Sequence, residues 1–414
     1  MLACLLPLLS AFALTTPAIS DGPAENAPDR VELRDGSVVE GRVLLDAGTR
    51  VLVRVGTKTQ ELERDKIQSV RSAAGSVREL LAQWERIAPD DAQAVLDLAR
   101  FAEARGLAGE KELFALLVLT LDAKNAAAHE LLGHDARGDD WIVREGARRT
   151  PWSKLAALRR EFKSGWELAT THYALRTNLD LATACRVLLE LECFYRLYMD
   201  TLGAPLELHE VSERMPCEAY ADQQSFPESA SGGTAWFAAA TNTAAVLLLT
   251  GLKPESLLEV ATLQLDWSVC GKGASKGNLP DWLDVGLSFF LPCMRTGEPG
   301  RPVYDPALYL PSPFRTHAEA KKPYDPGRVV GFSAGDLQGS SRFDLKYAQC
   351  YTLLHFAWNG DGGAHRAGFF AYLRQAFGGK ASSSDLEEAL GMKERELEKA
   401  VAAHVATLAK AKTK

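Results

Sequence analysis

The sequence predicts a multidomain chain: a small all-β unit, then an α-helical segment, then a larger α+β domain. Three observations predict it. Between residues 30 and 72 apolar side chains alternate with polar ones between Gly turns, the period of half-buried strands. From 73 to 148 the spacing changes to three and four, that of amphipathic helices. From 149 to 410 short β-prone runs alternate with long, strongly apolar helical stretches. The chain has 414 residues, 46% of them apolar and 24% charged, which suits a buried core and excludes a disordered, collagen-like or many-spanning membrane chain. Acidic residues number 54 against 47 basic ones, and the net charge of -7 argues against nucleic acid as a partner.

Residues 1–20 read as a secretory signal peptide. Leu2 to Leu14 is almost wholly apolar but too short to span a bilayer, and Ala18 and Ser20 are small residues ahead of a cut before Asp21. The alternative is a short uncleaved anchor. Residues 21–29 form a polar linker. The expected location is outside the cytoplasm: periplasmic, cell-envelope or extracellular. No later stretch reaches membrane length, since the apolar run from Ala235 to Leu252 is broken by Thr241, Asn242 and Thr243. Signal removal leaves Cys185, Cys193, Cys217, Cys270, Cys293 and Cys350. They permit disulfides in an exported chain, and buried free thiols are the alternative.

The β unit (30–72) begins with Val31, Leu33 and the turn Asp35-Gly36, continues through Val38, Val39, Val43 and Leu44, and closes with Val51 to Val55 and Ile67 to Val70. The string VELRDGSVVEGRVL resembles the start of Sm-like or SH3-like barrels, which implies an interaction module or a structural cap. In the helical segment (73–148), Leu80, Leu81 and Trp84, then Leu96, Leu98 and Phe101, then Leu113, Leu116 and Leu117 mark three helices. Pro89-Asp90-Asp91 and Gly106 separate them, and the arrangement resembles tetratricopeptide-type pairs. HELLGH at His129–His134 places its His five apart, so they do not stack on one helix face as zinc ligands. The basic stretch from Arg144 to Lys163 reads as a solvated linker and helix face.

In the last domain (149–410), Trp166 to Thr177 reads as a strand and Asn178 as the cap of a helix through Met199. Leu206 to Val211 and Thr234 to Leu249 read as further strands. Leu257 to Trp267 and Trp282 to Leu291 are buried helices, Gly297 to Gly339 is a long loop, and three amphipathic helices follow from Tyr347.

The string LLEVATLQLDWSVCGKGASKGNLPDWLDVGLSFF (257–290) resembles the active-site core of peptidase-MA-like metallopeptidases of the gluzincin group. Pro280, Trp282, Leu283, Gly286 and Leu287 match the family's second helix, and YAQCYTLLHF and FFAYLRQAFGG resemble its C-terminal helices. The resemblance implies an α+β gluzincin-like fold. It places the H-E-x-x-H positions at Glu259, Val260 and Leu263 and the downstream Glu ligand at Val285. Val and Leu neither coordinate zinc nor move a proton. The resemblance therefore implies a degenerate member with no catalytic residues, no metal and no other cofactor. Its cleft is expected to hold an extended peptide or a protein partner, lined by Trp236 and Trp282 with Leu263 and Val285.

Other motifs define the alternatives. Glu255, Glu259, Thr262 and Asp266 recur at helical spacing, either as a carboxylate cation site or as the polar edge of an apolar helix. GFSAG (331–335) matches a nucleophile elbow if a strand precedes Ser333, with Asp361 and His365 or His404 completing a triad. A metal enzyme drawing ligands from His172, His209, His317, His355 and His365 is the remaining enzyme reading.

Overall fold

The computed structural model describes residues 28–227, 233–249, 254–270, 279–337, 342–381 and 383–411, with the side chains of 383 and 384 excepted. The expected signal peptide and most of the linker lie outside the described residues. No helix among the described residues is long and apolar enough to cross a membrane.

The chain opens with β1 (Asp29–Leu33), β2 (Val38–Asp46), β3 (Arg50–Val55), β4 (Lys58–Glu63) and β5 (Ile67–Arg71). They form an antiparallel sheet in the order β4-β3-β2-β1-β5 around Val31, Val43, Val51, Val53 and Ile67. Alternation supplies that core, since every second residue of a strand faces one side. The buried carboxylate of Asp29 accepts from Val43 N at 2.7 Å and from Ala73 N at 2.7 Å, tying the sheet to the helix that follows.

That helix is α1 (Ala73–Trp84), capped by Ser72, whose hydroxyl accepts from Gly75 N. Next come α2 (Ala92–Ala104), capped by Asp91, then α3 (Ala108–Leu121) and α4 (Ala126–Leu131), capped by Asn125. The first three match the sequence reading in position, and α4 is an additional short helix that carries His129. Their core is continuous with that of the following domain, so no break in packing marks the boundary expected at 148/149.

The basic stretch from Arg144 to Lys163, read as a linker and helix face, starts inside a three-stranded meander, β6 (Asp135–Arg137), β7 (Asp140–Glu145) and β8 (Arg148–Pro151), and continues into helix α5 (Trp152–Leu158), so the helix is there and strands stand where the linker was expected. The meander's turns sit on Gly138 and Gly146, both at positive φ, which glycine adopts without strain.

The larger domain holds a second five-stranded sheet in the order β12-β13-β11-β10-β9. The segment read as one strand is two, β9 (Trp166–Ala169) and β10 (Tyr173–Thr177), antiparallel to each other. Then come α6 (Leu181–Tyr198), capped by Asp180 rather than Asn178, a π-turn (Met199–Gly203) and α7 (Ala204–Leu206). Asn178 instead accepts from Ala221 N and donates to Asp222. Leu206 to Val211 is not a strand; Glu210 N in that segment donates to Leu44 O and seats the first sheet. β11 (Met215–Tyr220) lies parallel to β10, and the expected strand 234–249 is the antiparallel pair β12 (Ala235–Ala238) and β13 (Thr243–Leu247).

α8 (Pro254–Val269) packs against β12 and β13 of this sheet, and α9 (Asp281–Cys293) packs against α8. The long loop contains the hairpin β14 (Arg295–Glu298) and β15 (Arg301–Tyr304), then α10 (Pro311–Ala318), α11 (Pro326–Val330) and α12 (Ala334–Leu337). α13 (Phe343–Asn359), α14 (Arg366–Phe377), α15 (Ser383–Leu390) and α16 (Glu394–Lys410) complete the domain. Gly286 lets α9 meet α13 closely, since a Cβ there would stand 2.9 Å from Leu354 Cδ1. All six described cysteines are free thiols, as the buried-thiol alternative has it.

Candidate functional site

The seam between α8 and α9 is where the resemblance places a metal. Val260, Leu263 and Val285 are all buried there among core side chains. Glu259 is half-buried, and its charge adds, after burial and the Cys350 thiol, to the upward push on the Tyr347 hydroxyl. Among the described residues no three His, Cys, Asp or Glu side chains are grouped to hold a metal.

The two tryptophans expected to line a common cleft do not meet. Trp282 is fully buried, and its indole N–H donates to the Tyr372 hydroxyl at 3.3 Å. Trp236 is half-buried on the other face of the sheet, against Tyr220, Phe226 and Phe162. The reason is the strand period: Ala235 and Phe237 point into the main core on the α8 side, so Trp236 must point away. Leu263 and Val285 fill the seam rather than border an open cleft.

Chemistry survives one turn further along α8. Glu259, Leu263, Asp266 and Cys270 share a stripe at spacings of four, three and four. Asp266 is buried, accepts from the Tyr198 hydroxyl at 2.5 Å, and keeps its Oδ2 buried without a partner. Burial pushes its carboxyl up to about 8. Asp284, at the start of α9, is also held well above the carboxylate range, first by burial and then by the charges of Asp266 and Asp281. Asp266 thus favours the protonated form at neutral pH, and burial pushes Asp284 in the same direction. Burial, Asp266 and Asp284 together raise the Cys270 thiol. The sequence reading included Asp266 as a polar edge and passed over Tyr198 and Asp284; the missed signal is a carboxylate inside two otherwise apolar helices.

Four of the histidines form two hydrogen-bonded pairs, and the others are bonded to residues of other types or exposed. Buried His172 donates from Nδ1 to Glu192 at 2.7 Å and stacks on Tyr195 at 3.7 Å. Burial disfavours its charge, but Glu192, Glu210 and Glu110 outweigh that and hold it above its ordinary value. His129 and His134 bond to each other, Nδ1 to Nδ1 at 2.7 Å, beside Trp141 and Trp152. His355 pairs with His404 at 2.9 Å, and burial followed by the His404 charge lowers it to about 3. His317 bonds Thr352 at 2.8 Å, and His365 pairs with Asp361 at 3.1 Å. His209 is exposed in a coil rather than in a strand.

Ser333 does not stand on an elbow. The segment before it is helix α11, and Ser333 caps α12: its hydroxyl donates to Asp336 Oδ2 at 2.7 Å and accepts from Asp336 N at 3.2 Å. Among the described residues it has no hydrogen bond to a histidine.

Two features can receive a ligand. The first is the outer edge of β12. Leu247 N donates to Thr234 O at 2.7 Å, so by antiparallel alternation Ala235 and Phe237 turn their N–H and C=O groups away from β13. Beside that edge Trp267 of α8 is 45% exposed and meets Phe237 edge-on at 6.5 Å. The second is a cleft of about 690 Å³ between α1, the end of α6 and β15. The chain matches no protein-family model and no curated protein.

Proposed function

We infer that this chain is a non-catalytic, gluzincin-like protein, exported through its N-terminal segment, that binds an extended peptide or a segment of a protein partner. In this reading the first sheet is an Sm-like or SH3-like barrel and the α1–α4 segment is tetratricopeptide-like, both serving as interaction modules around the degenerate peptidase domain. One observation supports it: Leu263 and Val285, which the resemblance sets at ligand positions, and Val260, which it sets at the general-base position, are buried core, so the seam serves packing, and the outer edge of β12 pairs with no strand among the described residues. An extended peptide gains main-chain hydrogen bonds by adding to a sheet edge, and an exposed indole beside the edge adds apolar area. Fold-level analogy supplies the rest. Ser333 and the paired histidines give the hydrolase alternatives no assembled site.

The test is fluorescence anisotropy with a labelled library of β-prone decapeptides, followed by mass spectrometry of the same peptides. Binding without cleavage is expected, and Trp267→Ala is expected to weaken it about five-fold or more, as loss of an aromatic anchor does. Cleaved peptides, or an affinity indifferent to Trp267, would count against the reading.

A further inference from the structure

We propose that the cleft between α1, α6 and β15 is a second peptide site, separate from β12, that accepts an extended, largely uncharged segment as a third strand beside the β14–β15 hairpin. Asp305 N donates to Met294 O at 2.8 Å, and the register pairs Thr296 with Val303 and Glu298 with Arg301. Alternation then turns the C=O of Pro302 and the N–H and C=O of Tyr304 toward the outer edge of β15. Among the described residues no strand pairs with that edge. Arg78 and Ala82 of α1 with Glu85 just after it line the opposite side, and Arg196 and Leu197 of α6 with Asp200 just after it line the floor. The volume falls within the roughly 300–1,000 Å³ of ordinary ligand pockets.

The walls are held open by built contacts. Arg301 donates to the carbonyls of Trp84, Glu85 and Ile87, closing the C-terminal end of α1, and its guanidinium lies 5.2 Å from the Trp84 ring. Trp84 in turn donates to Gly300 O at 2.8 Å. The hairpin is thus fixed to α1 at its turn, while the slot stays open along Pro302 to Tyr304.

Charge selects the occupant. Arg78 pairs with Asp200 at 2.6 Å, and Arg196 pairs with Glu85. With these cations engaged and Arg301 held by carbonyls, the slot has no free cluster to attract an anionic cofactor. Val303 is 62% exposed beside it and calls for an apolar residue. Glu298 has no ion-pair partner among the described residues, which favours one basic residue at the turn end. The occupant is therefore a short β-prone peptide, apolar at alternate positions and ending in Lys or Arg.

The experiment titrates the full chain with labelled hexapeptides of alternating Val and Thr, with or without a terminal Lys. Leu197→Trp, which fills the floor, and Val303→Asp are each expected to weaken binding about ten-fold. Glu298→Lys is expected to remove the preference for the terminal Lys, and Trp267→Ala to leave these peptides unaffected. Circular dichroism and thermal melts establish that each variant folds; Ala82→Trp, on the opposite wall, replaces any that does not. Failure of the hexapeptides to bind, indifference to the wall substitutions, or dependence on Trp267 instead would each overturn the second site. The last outcome would leave the β12 reading standing.

Discussion

Glu190→Ala is expected to cost this protein about 3–5 kcal/mol of stability, the range for removing one partner of a buried ion pair. Glu190 lies in the middle of α6 with its carboxylate fully buried. Arg295 reaches it through Nε at 2.5 Å and Nη2 at 3.1 Å, and Gly300 N donates to it at 2.7 Å. Three donors thus converge on one carboxylate, and two of the bonds come from a planar guanidinium that matches it as a fork. Truncation would leave the Arg295 charge uncompensated in a site from which water is excluded. The loss is expected to show in urea unfolding and, by hydrogen exchange, first in the β14–β15 hairpin. Because β15 is a wall of the proposed slot, hexapeptide binding should fall with it. A stability within about 1 kcal/mol of the parent would mean that the pair is solvated, against its burial here.

The second large effect concerns pH. Asp266 has its folded-state pKa raised to about 8, chiefly by burial, against an ordinary value near 3.8. The folded state therefore holds a proton that the unfolded chain has lost. Stability from this group is fully present below about pH 4 and drains away as pH rises through 8, at up to about 1.4 kcal/mol per pH unit. Asp284, Asp281, Tyr198 and Cys270 surround it, so the macroscopic titration belongs to the cluster. Asp266→Asn keeps an acceptor for the Tyr198 hydroxyl and removes the ionisation. Thermal melts from pH 5 to 8 should show the variant gaining on the parent as pH rises. Parallel profiles would mean that Asp266 ionises freely and that the seam is wet.

Much of this architecture was legible in the sequence, for reasons that can be named. The period change near residue 73 and the breaks at Pro89-Asp90-Asp91 and Gly106 are local signals, and α1, α2 and α3 lie between them. The apolar nature of Val260, Leu263 and Val285 argued against zinc ligation, whereas the cleft that Leu263 and Val285 were expected to line is a packed seam. Three things were not legible, because residues far apart in sequence decide them. The break between β9 and β10 is held by Glu110 and Glu192, which accept from Thr171 N and His172 N across long stretches of chain. The meander at β6–β8 was masked by its charges, although Gly138 and Gly146 marked its turns. The opposite orientations of Trp236 and Trp282 follow from strand register and helix packing, which no single motif records. The α1–α6–β15 cleft joins three segments that nothing in the linear sequence connects.

The most direct check of the central claim, that the degenerate seam packs rather than coordinates, is the metal content of the full chain purified without chelator or nickel affinity, then equilibrated with zinc. Less than about a tenth of an equivalent retained is expected, since Glu259 is the one possible ligand left at the four motif positions. Close to one equivalent of tightly held zinc, lost with a chelator alongside a peptidase activity, would contradict it and return the chain to the active metallopeptidases.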